Sequence, residues 1–228
     1  MTEAAINPPP PPPPGSIARR LIYVAWWAIV AGFLVQLLVL GATLVARGSI
    51  PGTELMADFG SGISWSVLVC GGIALGTAAT SPSETVMGGL GLLFAPIAFA
   101  VAKGIQQGIQ TMLDAPTSQI TSVTWTIGAI KAVEFAVLGA LVAVLLKRAK
   151  VKAWAFVGLG LLLGVLFGGM ILTVMATQTA GETPALVGTG VNEILFPAAC
   201  ALILYGASRA GKQVRALARN AGNREAVA

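Results

Sequence analysis

The sequence predicts an all-α polytopic membrane protein, with six transmembrane helices arranged as two inverted-topology three-helix repeats. Three observations carry this. Only 10% of the 228 residues are charged and 56% are hydrophobic, with a mean hydropathy of +0.83; a soluble domain carries roughly a quarter charged residues. The apolar residues form six long runs, each sufficient for a hydrocarbon core of about 30 Å at about 1.5 Å per helical residue. The chain also repeats itself: WAIVAGFLVQLLVLGA (27–42) and WTIGAIKAVEFAVLGA (125–140) agree at eight of sixteen positions without a gap, and Gln36 is answered by Glu134.

Residues 1–18 form a proline-rich tail, expected to be extended and disordered. Arg19 and Arg20 open the first repeat, 19–112, with spans at about 21–45, 61–79 and 82–104. The first run is too long for the apolar region of an export signal and is read as a helix that stays in the membrane. The second repeat, 113–207, has spans at about 121–146, 153–175 and 184–206. A basic tail follows at 208–228.

Further landmarks recur. Ser81-Pro82 and Thr183-Pro184 each offer a hydroxyl N-cap and a proline in the first turn, and Gly104 and Gly206 are expected to end the same two spans. All three pairs are offset by 102 residues, as are LLF (92–94) and ILF (194–196). An odd-numbered repeat unit enters the membrane from opposite sides in its two copies, so the halves are expected to be related by a pseudo-two-fold axis in the membrane plane.

Charge sets the orientation. Eleven of the fourteen Lys and Arg residues lie before the first span, between the fourth and fifth, or after the sixth. By the positive-inside rule both termini are cytoplasmic, in a plasma membrane or, in a bacterium, the inner membrane. The net charge of +5 therefore reads as a topology signal, not a nucleic-acid face. The spacing of Arg209, Lys212, Arg215 and Arg219 suits an anionic lipid surface, or a solvated helix that anchors topology.

Absences narrow the chemistry. The chain has no histidine, which excludes His-ligated haem, pigment and metal sites, and no cofactor is expected. Cys70 and Cys200 lie in apolar runs without metal spacing and read as buried thiols. No nucleophile–base pair or phosphate-cradling loop is present, so the chain is not read as an enzyme.

The polar residues inside the spans mark the candidate site. Lys131 and Glu134 share a face of the fourth span, Asn192 and Glu193 lie in the sixth, and Gln36 lies in the first. An ionised group at the bilayer centre costs at least about 2.5–3.5 kcal/mol and must pair, face a cavity or stay neutral. One arrangement is a self-neutralising Lys131–Glu134 pair with Glu193 protonated or bonded to Asn192. The other is a site at the repeat interface where Glu134 and Glu193 exchange a proton or bind a cation, tuned by Lys131. Lys103, near its expected helix end, is read as reaching the interface. Gly72 and Gly76 in the second span, and Gly160, Gly164 and Gly168 in the fifth, are expected to let those two spans cross closely, or to form a homo-oligomer contact. Pro96 and Pro197, deep in their spans, each free a carbonyl and point to a central site. The expected function is transport of an ion or small polar solute; the alternative is a non-catalytic accessory subunit among other membrane subunits.

Overall fold

The computed structural model describes residues 14–48, 52, 54–78, 83–117, 119–148, 151–177 and 183–225. Within them the chain forms helices α1 (Pro14–Arg47), α2 (Glu54–Ala78), α3 (Glu84–Met112), α4 (Ser122–Lys147), α5 (Ala153–Ala176) and α6 (Thr183–Glu225), with no strand. Six helices contain stretches long and apolar enough to cross a membrane. The protein is therefore a multi-pass, all-helical chain of membrane-spanning type.

Local chemistry sets several ends. Thr121 caps α4 in a capping box with Thr124, whose hydroxyl accepts the Thr121 N–H at 3.1 Å. Arg47 and Lys147 occupy the last turns of α1 and α4, where a cation complements the helix dipole. Thr183 and Pro184 both lie in the first turn of α6, so Thr183 is the first helical residue rather than the expected N-cap. The N-cap of α3 is Ser83, and Ser81-Pro82 lie outside the described residues, as does the proline tract through residue 13.

Hydropathy misplaced several boundaries. α2 begins at Glu54, seven residues before the expected 61, and α3 continues to Met112, eight beyond Gly104. These additions meet at one end of the molecule. Gly60 lies against Ile105 and Ile109, and Gln106 donates to Asp58 at 3.0 Å. Packing and hydrogen bonds continue both helices where apolar character lapses. Lys103 is accordingly well inside α3 and donates to Gln106 at 2.8 Å. Gly206 is likewise internal, because α6 runs on to Glu225 and takes in the basic segment expected as a separate tail.

Neighbouring helices run antiparallel. Ser66 of α2 donates to the Ala28 carbonyl of α1 at 2.7 Å, and Gly32 faces Ile63 and Ser66. α3 and α4 touch backbone to backbone, where a Cβ on Gly91 would overlap the Phe135 carbonyl and one on Gly139 that of Met87. An exposed Lys147–Glu84 ion pair of 2.6 Å joins the same two helices at the end carrying the termini. α6 closes the bundle on α1, with Gly188 against Thr43 and Gly206 near Tyr23.

The glycine ladder works differently from the expectation. α2 and α5 share no packed interface among the described residues. Gly72 and Gly76 admit Phe94 and Met87 of α3, whereas Gly160, Gly164 and Gly168 lie against Ala198, Ile194 and Glu193 of α6. Each ladder joins the second helix of its half to the third. Small residues allow close approach to any neighbour, and these neighbours are adjacent in sequence.

Candidate functional site

The buried charges gather where α4, α6 and α2 meet. Lys131 and Glu134 lie one turn apart on the buried face of α4, beside Gly128, Phe135 and Leu138. At about 1.5 Å per residue they sit about 14 and 18 Å from the start of a helix about 39 Å long. Glu193 is 4% exposed, one turn before the fully buried Pro197.

Lys131 crosses to α6. Its Nζ donates to Glu193 Oε2 at 2.5 Å, and the same ammonium lies 5.1 Å from the centre of the Trp65 ring of α2. A carboxylate and an aromatic face together hold one desolvated cation. Trp65 is fixed by ring contacts with Phe99 at 6.3 Å, Phe135 at 5.6 Å and Phe196 at 6.0 Å. Phe135 and Phe196 also meet each other at 6.0 Å. The pair thus lies under an aromatic cluster drawn from α2, α3, α4 and α6.

Glu134 is left over. It is 0% exposed, and neither carboxylate oxygen has a hydrogen-bond partner among the described residues. Lys131 is already committed to Glu193, so a second carboxylate charge would stand uncompensated. The neutral acid is the form that this setting accommodates. Of the two arrangements the sequence allowed, the self-neutralising Lys131–Glu134 pair is not formed; Lys131 pairs with Glu193 instead. Asn192 is half-buried, and Glu193 accepts its bond from Lys131 rather than from Asn192.

The backbone at Glu193 is unusual for a physical reason. Pro197 has no N–H to donate, so the Glu193 carbonyl four residues earlier loses its helical bond. Gly164 of α5 lies directly over it: a Cβ there would come within 2.6 Å of that oxygen. Gly168 sits beside the Glu193 side chain, where a Cβ would approach its Cβ to 2.8 Å. Two glycines of the ladder thus back the turn that carries the acid. Pro96 has no such role, since it faces outward and frees the carbonyl of Leu92, itself exposed.

Gln36 is buried but lies elsewhere. Its amide rests against Gly62, fixing α1 to α2 rather than joining the ion pair. The residue that aligns with Glu134 in the sequence match is thus a packing residue. Cys70 and Cys200 are buried free thiols, as expected.

Sequence reasoning missed Trp65. A usable signal was present: Trp125 and Trp154 lie in the first turns of α4 and α5 and Trp26 and Trp27 near the start of the first apolar run, all four exposed, whereas Trp65 lies mid-helix and is buried. Among the described residues no cluster of three metal-ligating side chains occurs. No protein-family model matches the chain, and no curated protein or solved structure is significantly similar to it.

Proposed function

We propose that the protein transports an ion or small polar solute, and that Lys131, Glu134 and Glu193 form its mid-membrane site. The observation that carries this is Glu134: a buried carboxyl with no hydrogen-bond partner among the described residues, one turn from a lysine that is paired elsewhere. Such a group is costly to keep in a bundle that only packs, and it supplies a place to take up and release a proton.

Two further features support the reading. α2 lies along α3 as α5 lies along α6, and α3 meets α4 as α6 meets α1. These two pairings are compatible with inverted-topology repeats, although α2 also packs on α6 with no packed α5–α3 counterpart among the described residues. Such halves commonly frame a central site with access from both faces. The site residues come from both halves, Trp65 from the first and Lys131, Glu134 and Glu193 from the second. With cytoplasmic termini in a plasma membrane, the Lys131 end of α4 lies in the outward-facing part of the bundle.

Reconstituted vesicles with an entrapped pH dye test this. Proton movement is followed under an imposed potential and under outward gradients of a panel of inorganic cations, organic cations, anions and neutral solutes. Wild type should move protons above empty vesicles with at least one of these. Glu134→Gln and Glu193→Gln should each reduce the rate at least about tenfold while retaining detergent thermal stability, since the exchangeable group is gone. Wild-type vesicles indistinguishable from empty ones throughout, or unchanged rates in both variants, would sink the transport reading in favour of the accessory-subunit role.

A further inference from the structure

The cation in the site is part of the protein, and that identifies what else fits there. The Cε–Nζ end of a lysine is a methylammonium group on a tether. It sits on the Glu193 carboxylate and against the face of Trp65, with Phe135 and Phe196 beside the ring. A second carboxylate, Glu134, lies one turn along the same face of α4 as Lys131, with both oxygens unoccupied. Lys131 therefore has a built station and an unused one within side-chain reach.

We propose that the Glu193–Trp65 station is the binding site for a small organic ammonium ion, which enters as Lys131 moves across to Glu134 and Glu134 releases its proton. This rests on the transport reading and names its substrate class. The charges balance. At rest the site holds the Lys131 ammonium, the Glu193 carboxylate and the Glu134 acid, and is neutral. Loaded, it holds two ammonium ions and two carboxylates, and is again neutral. One proton leaves to water for each cation bound, so the site exchanges the two.

The charged and titratable groups facing this exchange are few. α4 contributes Lys131 and Glu134, and α6 contributes Glu193 and Cys200, the latter within electrostatic reach of Glu134. α2 contributes the buried Cys70 thiol. α5 presents the glycines behind Glu193. Lys131 and Glu193 are paired with each other, leaving the unbonded Glu134 as the group that yields the proton.

The test is a thermal-shift measurement on purified protein in detergent, with methylammonium chloride compared against equal potassium chloride and a pH dye reporting proton release. Methylammonium should raise the unfolding temperature of wild type and release about one proton per bound cation, since binding to the folded state alone stabilises it. Glu193→Gln should abolish the shift. Glu134→Gln should weaken binding about 100-fold, the affinity equivalent of stranding one charge at the bilayer centre, because the displaced Lys131 has nowhere to go. Adding Lys131→Met to Glu134→Gln should restore binding, which a purely structural role of Glu134 would not do. Wild-type binding in Glu134→Gln, or no shift in both wild type and the double variant, overturns the proposal. If the vesicle panel then shows protons moving with another solute, only the ammonium assignment falls; if none moves them, the transport reading falls with it.

Discussion

Gly164 shows how much one absent methyl group can set. The Glu193 carbonyl is freed by Pro197, and α5 covers it at the one kind of residue whose backbone can come that close. An added Cβ at 164 must push α5 away from α6 or move the turn bearing Glu193. At Gly158, on the same helix, a Cβ meets nothing within 4 Å. Gly164→Ala should therefore lower detergent stability by about 1–3 kcal/mol through overpacking. Gly158→Ala should raise it by about 0.5–1 kcal/mol through helix propensity. Paired thermal unfolding of the two variants measures both, and equal effects would remove the close-approach account. Lys131, Glu134 and Glu193 were legible in the sequence because ionisable groups within apolar runs are expensive wherever they point. Their pairing was not. On α4 alone Glu134 is the near neighbour of Lys131, and only the approach of α6 offers Glu193 instead.

Helix existence was read from apolar runs, and all six runs became helices. Their ends were not legible, because hydropathy reports preference for lipid whereas a helix continues as long as its backbone bonds and packing allow. The Asp58–Gln106–Lys103 network and the Gly60–Ile109 contact carry α2 and α3 beyond the point where polarity suggested a stop. The ladder was misassigned for a related reason: glycine spacing reveals a face that admits a neighbour and says nothing about which neighbour. Orientation depends on the basic residues at the end where the termini lie. In intact cells expressing a variant with Cys70 and Cys200 replaced by alanine, Pro116→Cys should react with an impermeant thiol reagent. Arg148→Cys should react only after permeabilisation. Both native positions are exposed, so access depends on the side of the membrane. The reverse labelling pattern would invert the topology.

Across the whole molecule, the apolar bundle concentrates its buried charge in one place. Trp65 from the first half and Lys131, Glu134 and Glu193 from the second meet under a shared aromatic cluster. The two positions that align in the sequence match have different roles. Gln36 is a packing amide on Gly62, whereas Glu134 is an acid with no hydrogen-bond partner among the described residues. The charge distribution at this junction is Lys131 paired with Glu193 and, on the reading proposed here, Glu134 holding a proton. Infrared spectra of the protein in lipid films, in the C=O stretching region of protonated carboxyls, report that distribution directly. Wild type should show one buried protonated carboxyl, and Glu134→Gln should lose it. Lys131→Met should show two, because Glu193 then has no ammonium to keep it ionised. A band that persists unchanged in Glu134→Gln, or is missing from wild type, would contradict the account.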